Sequence, residues 1–113
     1  MALAAAKRLL ERTPRPTAIL AQNDDMAVAA IQAARALGLD VPRDLSVTGF
    51  DDSEVSRLVW PRLTTVRQPV FEMARDAADK LVRQLEEQEP GPRQLHPHQL
   101  IVRASTAAPP DGG

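Results

Sequence analysis

Hydrophobic and polar positions along the chain alternate between the spacing of helices and the short apolar runs of strands. Apolar residues recur every three or four positions in three segments, which predicts helices over residues 3–12, 24–37 and 70–87. Short runs rich in apolar or β-branched residues predict strands over residues 17–21, 45–50, 63–68 and 99–103. A brief helix is expected at 53–58, between the second and third strands.

The order of these elements predicts an α/β fold with a parallel sheet. The strand at 17–21, the helix at 24–37 and the strand at 45–50 follow one another through short connections, and Gly38 is suited to end the helix. Such a unit places its two strands parallel with a right-handed crossover, as in Rossmann-like folds. Because the run at 17–21 is continuously apolar, we expect that strand to be buried on both faces.

Two of the predicted helices carry more apolar surface than one contact with the sheet would cover. In the helix at 24–37, the face opposite the core still holds Val28 and Ala29. A helix that is apolar nearly all round is usually covered on its second side. The helix at 70–87 has a wide apolar stripe, formed by Val70, Phe71, Ala74, Ala77, Ala78, Leu81, Val82 and Leu85. Both surfaces therefore predict contacts with a partner.

Composition and charge narrow the classes of function. Lys and Arg total 14 against 15 Asp and Glu, a net charge of -1, so the chain lacks the basic excess that electrostatic binding to nucleic acid requires. Cysteine is absent, which excludes disulfides, thiolate catalysis and cysteine-ligated metals. No apolar stretch is long enough to span a membrane, and the basic residues of the opening segment follow its apolar ones, the reverse of a secretory signal. We therefore expect a cytoplasmic protein with no membrane partner.

Three polar residues stand at the ends of predicted strands, namely Asn23, Asp51 and Gln68. Ligands of open parallel sheets bind outside the carboxyl ends of the strands, so we expect these side chains to converge on one edge. A carboxylate and two amides offer the acceptors and donors that suit a neutral polyhydroxylated ligand. Each residue alone also has a plainer interpretation, because Asn23 would cap the helix that follows it, and Asp51 or Asp52 would cap the short helix at 53–58.

Acidic and histidine residues permit other interpretations. Carboxylates clustered at a sheet edge would suit a magnesium-dependent enzyme, and the candidates are Asp24, Asp25, Asp51 and Asp52. No catalytic Lys or His and no phosphate-binding glycine loop accompanies them. His96 and His98 flank Pro97, but the sequence offers no further ligands for zinc, so solvated linker histidines are the better interpretation. We expect no cofactor, no resident metal and no catalytic residue.

Four segments resemble the lac-repressor-type (LacI/GalR) family of transcriptional regulators. These segments are PTAILAQNDDMA at 16–27, GLDVPRDLSVTGFDD at 38–52, LTTVRQP at 63–69 and LIVRAST at 100–106. They occur in the same order and at the same spacing as in the family. The resemblance covers nearly the whole chain, and four linked motifs are far more specific than any one of them.

This resemblance implies half of a periplasmic-binding-protein-like type I fold, whose two α/β lobes enclose a sugar or another small molecule. The chain would be a truncated effector-binding and dimerisation domain at 1–107, followed by a disordered tail at 108–113. Residues 1–69 would form the C-terminal lobe, 70–94 a helix and linker that pack on the missing N-terminal lobe, and 95–107 a returning strand. The family's helix-turn-helix would be missing as well, so DNA would be reached only through that N-terminal domain.

The resemblance also implies roles for individual residues. In the family, the residues that match Asn23, Asp51 and Gln68 lie at or near the effector. The family's dimer interface matches Val28, Ala29, Gln32, Val55, Leu58 and Val59 here. The leading hypothesis is therefore the effector-binding and dimerisation region of a transcriptional regulator, which binds a sugar or related polyol and forms a homodimer or larger oligomer. The alternatives are the C-terminal part of a transporter's sugar-binding protein, a magnesium-dependent enzyme, and a remnant without function.

Overall fold

The computed structural model describes residues 1–89 and 91–110, and these residues form four helices and four strands. In chain order, the elements are α1 (Ala2–Leu10), β1 (Ala18–Leu20), α2 (Asp24–Ala36), β2 (Ser46–Thr48), α3 (Glu54–Leu58), β3 (Thr65–Arg67), α4 (Val70–Leu85) and β4 (Gln99–Ile101). Every predicted element is present, most of them shortened at the ends, where assignments are least certain from pattern alone. The chain divides into two compact units, Met1–Arg67 with Leu100–Gly113, and Gln68–Gln99.

The first unit is built on parallel strands, as the sequence predicts. β1 pairs with β2 in parallel register, and Ile19 lies opposite Val47. The start of the third strand joins the other side of β2 through a parallel bridge between Thr48 and Thr64, and the Gly49 amide donates to the Thr64 carbonyl at 2.9 Å. The carboxyl ends of these three strands therefore meet at one edge of the unit, which is where ligands of parallel sheets bind.

The core of the first unit is aliphatic and lies under α1 and α2. Its largest fully buried apolar side chains are Leu10, Ile31, Leu45, Val47 and Leu63. α2 contributes Ile31 and most of the small buried residues, namely Ala27, Ala30, Ala33 and Ala34. Met26 in the first turn of α2 and Leu37 at its C-terminal cap are 41% and 39% exposed.

The expectation that the first strand is buried on both faces is wrong. Ile19 packs against the core, but Leu20 is 79% exposed and Ala18 is also exposed. Successive side chains of a strand point to opposite faces, so helices on the Ile19 side cover only alternate residues. Among the described strands, β1 pairs only with β2, which leaves its outer face and one edge open.

The segment that follows β4 is anchored into the first unit. β4 lies beside β3, and the buried Ser105 hydroxyl accepts from the Thr64 amide at 2.8 Å and donates to the Val47 carbonyl at 2.6 Å. The Ala107 amide donates to the Ser46 hydroxyl at 3.0 Å. Residues 111–113 of the expected tail lie outside the described residues.

The second unit consists of α4 and the segment that follows it. α4 has no buried residue, and the apolar residues at its two ends, Phe71 and Leu85, are 76% and 75% exposed. Lys80 pairs with Asp76 at 3.2 Å, and the ring of His96 lies 3.6 Å from the same carboxylate. None of the described helices is both long enough and apolar enough to cross a membrane.

Candidate functional site

Asn23 begins the site at the end of β1, and its side chain caps α2. Its backbone is extended, with φ at -153°, and its Oδ1 accepts from the Met26 amide at 2.8 Å. The capping interpretation is therefore confirmed for this oxygen.

Asp24 is a buried carboxylate, 1% exposed, that joins α2 to the segment after β2. Its Oδ2 accepts from the amide and the hydroxyl of Ser53, at 2.7 and 2.8 Å, and its Oδ1 accepts from the Thr65 hydroxyl at 2.7 Å. It is also the first residue of α2, where the positive end of the helix dipole favours an anion. These donors satisfy the buried charge without a cation, so Asp24 is a structural residue of the site edge.

Asp51 lies on the same edge in a backbone conformation that is unfavourable for a residue with a side chain. Its φ is 113°, and Asp52 follows at 51°. The Asp51 amide donates to the Val66 carbonyl at 2.9 Å, which ties the strained segment to β3, and the residue itself is exposed. Positive φ at a non-glycine residue costs on the order of 1–3 kcal/mol and persists only where the surroundings enforce it. Such strain is concentrated at functional sites.

Asp52 is the centre of the contacts that enforce this conformation. Its side chain is 2% exposed, and its Oδ1 accepts from Arg103 at 2.6 Å and from the Ser56 hydroxyl at 3.1 Å. Its Oδ2 accepts from Arg67 at 2.8 Å and from Arg57 at 3.4 Å. We call this set the Asp52 network. Burial alone raises the pKa of the Asp52 carboxyl, but the hydrogen bonds from Arg103, Arg67 and Ser56 outweigh it and hold that pKa well below its usual range.

The lowered pKa predicts how the Asp52 network depends on pH. A carboxyl with a depressed folded-state pKa stabilises the fold above its unfolded pKa of about 4, and this contribution is lost as the pH falls further. Asp52→Asn should lower the free energy of unfolding at pH 7 by about 3 kcal/mol, because three guanidinium groups lose their anion. The variant should also lose less stability than the unmodified chain between pH 5 and pH 2, roughly the range over which carboxyls titrate.

Urea unfolding followed by circular dichroism at a series of pH values measures both effects. Asp25→Asn removes an exposed carboxylate from the first turn of α2 and is the matched control, with at most a small change expected. A pH 7 stability of Asp52→Asn equal to that of the control would mean that the guanidinium groups do not depend on this carboxylate.

Gln68 follows β3 directly and is half-buried, as the first residue of the second unit. Its carbonyl accepts from the Val70 amide at 2.9 Å as α4 begins. Within the first unit, the structure brings Asn23 and Asp51 to the same edge, because their neighbours Asp24 and Ser53 are hydrogen-bonded to each other. The ligand roles of all three residues remain predictions.

This edge belongs to a fold with known relatives. A family model described as a periplasmic binding protein-like domain matches residues 1–106. The chain belongs to this family. Together with the relatives below, the match confirms the resemblance of its motifs to lac-repressor-type regulators, and the chain corresponds to part of their effector domain.

Relatives in this family are transcriptional regulators. The HTH-type transcriptional regulator MalR of Streptomyces coelicolor is 46% identical over 109 residues, which are 95% of this chain and 31% of that regulator. The solved structure of the dimeric lac repressor with a C-terminal deletion superposes with a TM-score of 0.85 at 35% identity, over 96% of this chain and 40% of that one. A complex of the transcriptional regulator CelR with cellobiose superposes with a TM-score of 0.84 at 39% identity, over 92% and 32%. The chain thus spans about a third of the length of MalR.

Asp24 and Asp52, two of the four aspartates considered as magnesium ligands, are unsuited to bind a cation. Asp24 and Asp52 already accept from amide, hydroxyl and guanidinium donors, and three arginines surround Asp52. A cation there would have to displace those positive groups. Over residues 1–89 and 91–110, no group of three or more histidine, aspartate or glutamate side chains could hold a metal ion. The contacts therefore argue against the magnesium interpretation.

The residues predicted for the dimer interface lie on α2 and around α3. Val28 and Ala29 are half-buried, and Gln32 is exposed on the outer face of α2. Leu58 is 73% exposed, whereas Val59 packs against the core cluster. The unpredicted residue of this surface is Trp60, which is 68% exposed, stacks under Arg62 and accepts a hydrogen bond from Arg35 of α2 through its carbonyl. Nothing in the local sequence predicts this exposure.

Sequence reasoning also missed the arginines of the Asp52 network. Arg67 and Arg103 looked like strand residues with no assigned partner, yet both donate to the same buried carboxylate. Their positions in the sequence are 36 residues apart, and 15 and 51 residues from Asp52. An aspartate pair after a strand signals a turn or a site, but nothing local signals which of its carboxylates will be buried or which arginines will meet it.

Proposed function

We propose that this chain binds a sugar or a related polyol at the edge that carries Asn23 and Asp51, with Gln68 as the third ligand residue that the sequence predicts, and that it is the effector-binding and dimerisation part of a transcriptional regulator. The observation that carries the proposal is the strained backbone of Asp51. An exposed aspartate with φ at 113° is held at the carboxyl end of a parallel strand by contacts of its buried neighbours. That arrangement holds Asp51 at the sheet edge, where ligands of parallel sheets bind.

The chemistry of the three side chains supports a neutral hydroxylated ligand. A carboxylate accepts from two vicinal hydroxyls, and each amide both donates and accepts. The similar regulator CelR is described in complex with cellobiose, which is a ligand of this kind. DNA binding by the regulator would require a further domain, because this chain has no basic excess.

The test is a direct binding measurement with sugars. Isothermal titration with cellobiose, glucose and ribose should give saturable binding of at least one of them. Amide resonances of Asn23, Asp51 and Gln68 should shift in the same titration. No saturation by any sugar or polyol of a broader panel, with the chain folded by circular dichroism, would contradict the sugar part of the proposal.

Self-association is proposed on the surface of α2 and α3. Leu58 and Trp60 expose large apolar side chains, the Trp60 carbonyl accepts a hydrogen bond from Arg35 of α2, and Val28 and Ala29 of the same helix are half-buried. Exposed apolar patches of this kind mark interfaces. The similar lac repressor is described as dimeric. α4, with no buried residue, is proposed as a second surface for contacts between chains.

Leu58→Asp tests the first of these surfaces. A charge in the middle of an apolar interface should weaken the dimer by about tenfold or more, since burying an unpaired carboxylate is costly. The residue is 73% exposed in the single chain, so the fold itself should tolerate the change. Sedimentation equilibrium at several concentrations measures the dissociation constant.

Leu95→Asp is the matched control for that experiment, because Leu95 is 93% exposed and lies in the second unit. It should leave the dissociation constant unchanged. A concentration-independent monomer for the unmodified chain, or equal association by Leu58→Asp, would remove the α2–α3 surface from the proposal.

A further inference from the structure

We infer that Arg103 is a positioning residue that holds the Asp51 segment in its ligand-binding conformation and links it mechanically to α3. The inference rests on the proposed function for the meaning of Asp51, and it goes further by naming the residue that ties the ligand edge to the proposed dimer surface. The guanidinium of Arg103 donates to the Asp52 carboxylate and to the Ser56 hydroxyl. It acts through Asp52 and Ser56.

The contacts of the Arg103 guanidinium reach three separate parts of the first unit. Its Nη2 donates to the Asp52 carboxylate at 2.6 Å. Its Nη1 donates to the Ser56 hydroxyl on α3 at 3.0 Å and to the Leu63 carbonyl, just before β3, also at 3.0 Å. The side chain is 15% exposed, so these bonds are shielded from water. The planar guanidinium donates to these three acceptors from two separate nitrogens, a geometry that the single nitrogen of a lysine ammonium does not reproduce.

The Asp51 segment needs such a restraint because its own sequence does not favour the conformation. Both Asp51 and Asp52 have positive φ, and Asp52 is the residue that Arg103 grips most closely. On the other side, Ser53 is held by the buried Asp24. Arg103 therefore holds Asp52, and Asp24 holds Ser53, which are the two residues that follow Asp51. Without Arg103, the Asp52 carboxylate would keep Arg67 and Arg57 as cationic partners, whose side chains are 49% and 56% exposed.

The link to α3 passes through Ser56, which is fully buried. Its hydroxyl lies 3.1 Å from Asp52 Oδ1 and accepts from Arg103. Ser56 is in the middle of a five-residue helix that carries Leu58 on the proposed dimer surface. A movement of the Asp52 carboxylate would therefore displace α3, and a displacement of α3 would reach the residue next to Asp51.

The decisive experiment measures amide hydrogen exchange in Arg103→Gln, a readout that needs no ligand. The amides of Asp51, Asp52 and Ser53 are each hydrogen-bonded, to Val66, Thr65 and Asp24, so their exchange reports opening of this segment. We expect exchange at these three amides to rise by about tenfold or more beyond the change at core amides. Arg103→Lys, which keeps the charge but not the forked geometry, should rescue only part of the protection.

Two controls separate positioning from a general loss of stability. Ile31→Val trims a fully buried residue of α2 and lowers stability without touching the Asp52 network. Arg43→Gln removes an exposed arginine and its charge. Neither should raise exchange at the three amides above that of the core. A rise in Arg103→Gln that is uniform over the core amides, or no rise, would overturn the inference. If the Gln variant does not fold, the same comparison is made with Arg103→Lys.

Binding measurements then separate this inference from the proposed function. With cellobiose or whichever sugar binds, Arg103→Gln and Asp51→Asn should each weaken affinity by roughly tenfold. The double variant should lose little more than either one, because Arg103 acts on the ligand by positioning Asp51, whose carboxylate the second substitution removes. Additive losses would overturn the positioning role. If no sugar binds the unmodified chain, the proposed function fails, while the exchange comparison still decides whether Arg103 holds the segment.

Discussion

Asp51→Asn should lower the affinity for a bound sugar by about tenfold or more. The substitution keeps the size of the side chain and replaces a charged acceptor with a neutral amide, so the charge-assisted hydrogen bonds to ligand hydroxyls are lost. Asparagine is also among the residues that best tolerate positive φ, which matters at a position with φ at 113°. Isothermal titration of both chains with the same sugar gives the ratio of dissociation constants.

Asp25→Asn is the matched control for this comparison. It removes a carboxylate two residues beyond Asn23, on the exposed side of the first turn of α2. Its affinity for the sugar should equal that of the unmodified chain. If Asp51→Asn binds as tightly as this control, the carboxylate of Asp51 does not face the ligand, and the strained backbone there serves only the turn between β2 and α3.

Gly49→Ala should produce the largest loss of stability from a single added methyl group. An ideal Cβ at Gly49 would lie 2.3 Å from Asp24 Oδ1, 2.9 Å from a methyl carbon of Leu63 and 3.1 Å from the Asp24 Cα. The carboxylate cannot rotate away without breaking its bonds to Ser53 and Thr65, and the backbone of α2 blocks the other direction. Overpacking at such a site should cost about 3 kcal/mol, seen as a lower urea midpoint with an unchanged slope.

Gly38→Ala provides the contrast. Gly38 ends α2 with φ at +74°, and nothing lies within 4 Å of a Cβ built there. Its replacement should cost about 1 kcal/mol, through the backbone conformation alone. Equal losses for the two variants would mean that the close approach of Asp24 to Gly49 relaxes easily, and that the Asp24 bonds are weaker than their distances suggest.

The sequence predicts the elements of this fold well because their signals are local. The apolar spacing of α2, the cap at Asn23 and the glycine after its end all lie within one helix and its flanks. The parallel pairing of β1 and β2 follows from the short connections of a strand–helix–strand unit. The burial of β1 was misjudged because the same apolar run fits a strand covered on two faces or on one, and only the tertiary structure distinguishes them.

The candidate site divides in a similar way. The strand-end positions of Asn23 and Asp51 could be predicted because the topology of parallel sheets places functional residues there. The different burial of the adjacent residues Asp51 and Asp52 could not be predicted. Asp51 is exposed, whereas Asp52 is buried beside β3. Arg67 and Arg103, which are distant from Asp52 in the sequence, donate to its carboxylate. Long-range charge pairing leaves no periodic trace in a single sequence, so the Asp52 network emerges only from the fold.

The first unit is formed by two segments that are separated in the sequence. Its two pieces, Met1–Arg67 and Leu100–Gly113, are held together by Ser105 and Arg103 as well as by the pairing of β3 with β4. Residues 68–99 form an insertion between β3 and its neighbour β4. Adjacent strands of a sheet are only about 5 Å apart. A short turn could bridge that gap. Replacing residues 69–98 by such a turn would keep the candidate ligand residues Asn23, Asp51 and Gln68 while removing the helix that exposes Phe71 and Leu85.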